Sequence, residues 1–173
     1  MTDTIFRDAK ISDDGLYRYV LIRVWDKALP VIVFIMLNPS TADALVDDAT
    51  IRACMAIARA QGCGGIVVVN LFAFRATQPM DMKAARDPIG PENDMHIARV
   101  LKWKKVKMVI AAWGADGRYM NRYYDVMSLV TLRHRIPLYC LGTTQHGAPK
   151  HPLARGKGRI PHDFQPIVWR EAA

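Results

Sequence analysis

Four continuous apolar runs, separated by segments of helical periodicity, limit the folds that are open to this chain. The runs cover residues 31–37, 66–71, 106–113 and 136–141. A strand covered on both faces has such a run, because none of its side chains alternates with water-facing ones. Helical segments are predicted between the runs, at residues 49–61, 91–104 and 116–134, with a shorter one at 80–86.

This alternation of strands and helices predicts βαβ units. We therefore expect an α/β three-layer sandwich with a four-stranded, mostly parallel sheet. Residues 17–25 alternate between apolar and polar, and residues 28–30 turn the chain before the first run, which predicts an additional N-terminal β-hairpin. The 173 residues contain neither a repeat nor a long linker, so a single domain over 1–173 is predicted.

In sheets of this kind, ligands bind beyond the carboxyl ends of the strands. Four segments of the chain are predicted to meet there: residues 38–41, 70–72, 113–114 and 143–159. Any side chain with a chemical role is expected in these segments.

Two asparagines stand at strand ends. Asn38 can orient a water or a ligand but is a poor general base, and the Asn-Pro-Ser stretch is also a common turn. Asn70 offers donors and an acceptor in one plane, the geometry that reads the edge of a base, or it can bond neighbouring loop backbone. Phe72 and Phe74 can stack on a flat ring; they can equally belong to the core.

Positive charge is concentrated in the second half of the chain. Residues 1–98 carry 10 Lys/Arg and 12 Asp/Glu, whereas residues 99–173 carry 14 and 4, within a net charge of +8. Gly and Pro residues separate Lys150, Arg155, Lys157 and Arg159, so a phosphate backbone can approach them closely. The alternative is a solvated basic loop that keeps the protein soluble.

Other patterns exclude several classes of protein. The sequence has no phosphate-binding, dinucleotide-binding, serine-hydrolase or HExxH motif. Its three cysteines form no CxxC pair, which predicts reduced thiols; neither a metal nor a cofactor is predicted. No apolar run of about 18 residues and no secretory signal is present, so a cytoplasmic protein without a membrane partner is expected.

Several short segments carry a resemblance to known families. Residues 36–43, 68–72, 112–114 and 147–153 resemble a bacterial and phage family of uncharacterised proteins, domain-of-unknown-function family 1643. The combination of Asn-Pro-Ser with a late Gly-x-Pro-x-His-Pro-Leu is specific, and the resemblance runs from about residue 17 onward. Membership alone implies no activity.

The same segments, in the same order, are similar to motifs of the uracil-DNA glycosylase superfamily, which has a four-stranded parallel sheet flanked by helices. The resemblance implies that Asn38 positions an attacking water, that Asn70 reads a flipped base and that His151 stabilises the departing base. Trp113 matches a tryptophan that follows the third strand. Leu153 stands where that superfamily has a serine, just before the leucine that wedges into the duplex.

Residues and resemblance together predict a nucleic-acid N-glycosylase with DNA as its partner, which hydrolyses the glycosidic bond of a flipped base. Asn38 and His151 are the predicted catalytic residues. The predicted base-binding residues are Asn70, Phe72, Phe74 and Trp113. The predicted contacts to the nucleic-acid backbone are Ser40, Lys150, Leu153, Arg155, Lys157 and Arg159. Two alternatives stay open: a nucleic-acid binder without catalysis on the same fold, and a hydrolase of small nucleosides or nucleotides.

Overall fold

The computed structural model describes residues 4–40, 45–161 and 163–173. These residues form a seven-stranded mixed sheet, curled into half a barrel, with four α-helices. The strands are β1 (Phe6–Ile11), β2 (Arg18–Val24), β3 (Val31–Met36), β4 (Gly65–Asn70), β5 (Val106–Ala111), β6 (Leu138–Cys140) and β7 (Ile167–Arg170). The helices are α1 (Ala49–Ala60), α2 (Pro79–Ala84), α3 (Asn93–Leu101) and α4 (Arg122–Ser128). The strand order is β1-β2-β4-β3-β5-β6-β7.

The predicted four-stranded, mostly parallel three-layer sandwich is wrong. The strands β4, β3, β5 and β6 are parallel neighbours, but β2 pairs antiparallel with β4, β1 with β2, and β7 with β6. β1 and β7 were not predicted, because edge strands are short, half-exposed and carry charged side chains instead of an apolar run. The sheet therefore continues beyond the buried strands on both sides.

Apolar side chains pack on both faces of the central strands. β3 is buried along its whole length, with Ile32 and Phe34 in one apolar cluster and Val33 and Ile35 in another. Buried residues of α1 belong to the first cluster, whereas those of α3 and α4 belong to the second. Strands that are buried on both faces hold their ends in fixed positions, which makes the rim of the sheet a firm support for a site.

Helix α1 begins where its sequence predicts. The side chain of Asp48 caps it, with Oδ1 accepting a hydrogen bond from the backbone N–H of Ile51 at 2.8 Å. This cap lies at the same rim of the sheet as Asn38, although residues 37–48 separate β3 from α1. Thr41, which the sequence places in that connection, lies outside the described residues.

The helix predicted over 116–134 is broken. A 3-10 segment (Ala115–Asn121) leads into α4, and a π-helical turn (Leu129–Arg133) follows it. Met120 and Asn121 have φ of 54° and 53°, a left-handed conformation that an α-helix cannot continue through. Within the described ranges, no helix is both long enough and apolar enough to cross a bilayer.

Candidate functional site

A cavity of about 390 Å³ lies at the carboxyl ends of β3, β4 and β5. We call it the main cavity. Because β2 runs antiparallel to β4, the first residue of β2 lies at the same rim and also lines it. Its polar lining residues are Arg18, Asn38, Ser40, Asp48, Thr50, Asn70, Thr77, Asp116 and His151. Apolar residues complete the wall: Met36, Leu37, Ile51, Val68, Ala76, Pro79, Trp113 and Ala115.

Asn70 ends β4 and is only 2% exposed. Its backbone carbonyl accepts a hydrogen bond from Asn93 Nδ2 at 3.0 Å, and the same Nδ2 donates to the carbonyl of Leu71 at 3.1 Å. The side-chain carboxamide makes no hydrogen bond with any other described residue. Because Asn70 lines the main cavity, its carboxamide donors and acceptor remain available to a ligand there. Asn70 is therefore a candidate recognition group at the end of β4.

Asn38 is oriented by its own hydrogen bonds. Its Nδ2 donates to the carbonyl of Pro39 at 3.1 Å and to that of Ala76 at 2.9 Å. Carbonyl oxygens only accept hydrogen bonds, so the end of the Asn38 carboxamide that faces them is the NH2 group. Its Oδ1 is left to accept a hydrogen bond from a water or a ligand hydroxyl.

His151 also lines the main cavity. Gly114, after β5, donates its N–H to the carbonyl of Pro149 at 2.9 Å, and the N–H of Lys150 donates to the carbonyl of Gly142, after β6, at 3.0 Å. These two bonds fix the segment that carries His151 to the ends of both strands.

Burial lowers the pKa of His151, and the negative charge of Asp48 opposes that effect only in part. The imidazole is therefore neutral near neutral pH. Its Nδ1 accepts a hydrogen bond from the backbone N–H of Leu153 at 3.1 Å. In a neutral ring this places the proton on Nε2, which is then a hydrogen-bond donor.

Asp48 and Arg18 were not predicted as site residues. Besides capping α1, Asp48 accepts a hydrogen bond from Ser40 Oγ at 3.1 Å through Oδ2, so Ser40 supports the carboxylate. The neighbouring Asp47 turns away and pairs with Arg7 and Arg23. The cap position of Asp48 was predictable from the sequence, whereas no local pattern indicated that Asp48 would line the same cavity as Asn38.

Arg18 is 5% exposed, and burial lowers its pKa to about 10, so the guanidinium stays charged at neutral pH. The pairing of β2 with β4 brings it to the main cavity. No local pattern indicates that pairing, because the alternation of residues 17–25 fits a hairpin strand outside the sheet equally well. Arg18 brings a positive charge to the cavity wall, and Asp48 and Asp116 bring negative charges.

The three predicted aromatic residues have different positions. Trp113 is 3% exposed and lines the main cavity. Its indole lies so close to Gly117 that a Cβ there would stand 2.1 Å from a ring carbon, which only glycine avoids. Phe72 is fully buried in the core, and Phe74 packs edge-on against Tyr17 with ring centroids 5.9 Å apart. Neither lines the main cavity, so the stacking role predicted for them has no support in the structure.

The predicted backbone contacts other than Ser40 also lie outside the main cavity. Leu153, Arg155 and Lys157 are exposed, as is Arg159, whereas Lys150 is half-buried beside Gly142 and Gly158. Leu153, Arg155 and Arg159 border an open depression of about 470 Å³ that begins directly after His151. The positive charge of this segment therefore lies outside the lining of the main cavity. Among the described residues, no group of three or more His, Cys, Asp or Glu could hold a metal ion.

Comparison with known proteins identifies a family but no relative of known activity. No curated protein and no solved structure matches the chain. The model of a family described as "Protein of unknown function (DUF1643)" matches residues 18–153. That range begins at Arg18 and includes His151, so it spans every residue that lines the main cavity. The chain therefore belongs to the DUF1643 family.

Proposed function

We propose that the main cavity binds a nucleobase turned out of a nucleic-acid strand, and that the protein hydrolyses the N-glycosidic bond of that base. The observation that carries the proposal is the carboxamide of Asn70, which lines the main cavity and makes no hydrogen bond with another described residue. A carboxamide pairs with the donor and acceptor edge of a base in one plane. The proposal rests on the side chains alone, because the predicted glycosylase-like sheet is wrong.

His151, in the wall of the same cavity, supplies what a departing base needs. In the proposed step, the bond between the sugar carbon and the base nitrogen breaks, and its electron pair goes to the base. His151 donates a hydrogen bond from Nε2 to the base as this negative charge develops. The imidazole stays neutral, which suits it to stabilise a base that leaves as an anion.

The remaining polar groups act on the sugar and the water. Asn38 Oδ1 accepts a hydrogen bond from the attacking water, whose oxygen forms the new bond to the sugar carbon. The carboxylate of Asp48 stabilises the positive charge that develops on the sugar. The same carboxylate can accept the proton that the water loses. Arg18 gives the same cavity a cation that can hold a phosphate or a carbonyl oxygen of the substrate.

The test is mass spectrometry of the bases released from DNA that carries unmodified and modified bases, phage DNA included. Wild-type protein is expected to release a base from at least one of these substrates. Asn38→Ala and His151→Ala are each expected to lower the rate at least about 100-fold, the usual effect of losing one such group. Both variants should keep the circular-dichroism spectrum of the wild type.

Gln78→Ala and Gln145→Ala are matched controls, because both side chains are exposed and neither lines the main cavity. Their rates should equal that of the wild type. Strand binding without release of any base would contradict catalysis and favour a non-catalytic binder. Release from free nucleotides but from no strand would favour a small-molecule hydrolase. Wild-type rates in both alanine variants would remove the roles assigned to Asn38 and His151.

A further inference from the structure

A second, smaller cavity of about 150 Å³ lies beside the main cavity. We call it the side cavity. Trp113 lines both, and the segment that supplies His151 to the main cavity supplies Ala148 and Pro149 to the side cavity. A ligand that extends out of the main cavity past Trp113 therefore meets the side cavity next.

Three aromatic side chains, Trp113, Tyr123 and Trp169, line the side cavity. Trp169 meets Trp113 edge-on, with ring centroids 5.5 Å apart and an interplanar angle of 79°. The guanidinium of Arg170 lies 4.0 Å from the centroid of the Trp169 ring. Aromatic rings and guanidinium planes are the surfaces on which unpaired bases stack.

Two arginines, Arg118 and Arg170, line the side cavity, and none of its lining residues is acidic. Each guanidinium makes one hydrogen bond, from Arg118 to the carbonyl of His146 at 2.6 Å and from Arg170 to the carbonyl of Trp169 at 2.7 Å. A guanidinium has five N–H donors, so most remain for a ligand. Neither arginine forms an ion pair with a described carboxylate. Two guanidinium groups, each with several N–H donors in one plane, fit a phosphate better than other anions.

We propose that the side cavity holds the nucleotide next to the one whose base enters the main cavity, so that the substrate is a single-stranded nucleic acid and not a mononucleotide. This inference rests on the proposed function, which places a base in the main cavity. The neighbouring base stacks against Trp169 and Tyr123, and Arg118 and Arg170 bind the phosphate between the two nucleotides. The shared wall at Trp113 separates the two bases.

Calorimetric titration at low salt tests this inference without requiring catalysis. The probes are the four deoxynucleoside 5′-monophosphates, the corresponding dinucleotides and single-stranded tetranucleotides. Wild-type protein should bind the best dinucleotide about tenfold more tightly than its monophosphate, because one stacked base contributes about that much. Trp169→Leu should lose this gain and keep the affinity for the monophosphate. Trp169→Phe, which retains a ring, should keep most of the gain.

The phosphate contact has its own readout. Arg118→Gln should lower the slope of log affinity against log salt for the dinucleotide by about 0.7, the value for one phosphate on a single strand. Trp103→Leu and Lys104→Gln are matched controls, because both side chains are exposed and line neither cavity. Both should bind every probe as the wild type does.

The outcomes separate this inference from the proposed function. Equal affinity of wild-type protein for monophosphate and dinucleotide, or no binding of any probe, overturns the side cavity as a nucleotide site. An equal loss of both affinities in Trp169→Leu also overturns it, because Trp169 would then act only by supporting Trp113. A wild-type protein that shows the length dependence and releases no base contradicts the proposed function and leaves this inference standing.

Discussion

His151 is held in one protonation state by its surroundings. Burial lowers its pKa below the ordinary value, and the N–H of Leu153 occupies the lone pair of Nδ1. A second proton would have to enter at Nδ1, where it would meet another donor. The side chain therefore favours the neutral form for two independent reasons, solvation and hydrogen bonding.

This arrangement predicts the acidic limit of base release. The rate should fall as His151 becomes protonated, and because its pKa is lowered, the midpoint should lie below about pH 6.5, the value for an unperturbed histidine. In Asp48→Asn, which loses the charge that raises the pKa of His151, the midpoint should move to still lower pH. The rate of base release by the wild type across the acidic range checks the limit, and NMR titration of the His151 ring in both proteins checks the shift. A midpoint that is unchanged or higher in Asp48→Asn would contradict the assignment.

The same shift has a consequence for stability. When the pH falls below about 6.5, the unfolded chain binds a proton at this histidine before the folded chain does, so the free energy of unfolding decreases. His151→Gln should therefore lose less stability on acidification than the wild type. Burial also lowers the pKa of His134. The part of the acid-induced loss of stability that comes from His134 therefore remains in the variant. Thermal unfolding at several pH values measures the difference.

Most of the cavity residues that could be predicted from the sequence lie at the ends of strands. Asn38, Asn70, Trp113 and His151 were each assigned from the end of a predicted strand or the last loop, and their side chains line one cavity; their chemical roles stay predictions. Phe72 was misassigned because an aromatic residue after a strand looks the same whether it points into the core or into a cavity. Arg18 could not be found, because its position depends on a long-range strand pairing.

At the scale of elements, α3 fixes the end of β4. Asn93, the first residue of α3, is fully buried, and its Nδ2 holds the carbonyls of both Asn70 and Leu71. Arg122 of α4 donates to the same Leu71 carbonyl through Nε at 3.0 Å. Asn93 Oδ1 has no hydrogen-bond partner in the described part of the chain. The side chain therefore acts as a donor that positions Asn70.

Replacing Asn93 should affect stability and recognition together. Asn93→Ala leaves two buried carbonyls with fewer donors, so the free energy of unfolding should fall by about 2–4 kcal/mol. Affinity for the base should fall as well, because the end of β4 loosens around Asn70. Urea unfolding and calorimetric binding measure the two effects. Arg99→Ala, an exposed position on the same helix, should change stability by no more than about 0.5 kcal/mol. An unaltered Asn93→Ala protein would rule out the positioning role.

Element boundaries were predictable where local signals were strong. The capping residue Asp48 and the helical spacing that follows it fixed α1. The segment at 116–134 was predicted as one helix because its apolar spacing is helical, but the left-handed residues Met120 and Asn121 interrupt it. Asparagine adopts that conformation more readily than most residues, but methionine does not, so the local sequence gives only a weak signal of the break.

At the scale of the whole molecule, the uneven distribution of charge predicts how salt acts on binding. Arg155, Lys157 and Arg159 are exposed beside the main cavity. If a single strand crosses them, replacing all three by Gln should lower the slope of log affinity against log salt by up to about 2. Tetranucleotides or longer strands, titrated at several salt concentrations, measure that slope.

A matched control removes the same charge elsewhere. Arg99, Lys102 and Lys104 are exposed near the amino end of β5, away from the rim that carries the main cavity. Replacing these three by Gln should leave the slope close to that of the wild type. Equal slopes for both triple variants would mean that net charge, and not the basic segment, attracts the strand.

The sheet as a whole was only partly predictable. Apolar runs revealed the buried strands, because a strand that is buried on both faces has apolar residues at consecutive positions. Which strands are neighbours, and whether edge strands extend the sheet, depends on contacts between distant parts of the chain, so β1, β7 and the β2–β4 pairing were missed. The curled shape follows from those additional strands.

The strand order also has a consequence during protein synthesis. β3 is made early, yet both of its neighbours, β4 and β5, follow it along the chain. Asn38 therefore leaves the ribosome long before Trp113 and His151, which complete the wall of the main cavity. A nascent chain that stops short of His151 has the beginnings of the sheet but no enclosed cavity. During synthesis, the proposed ligand site is therefore complete only after residue 151 has been made.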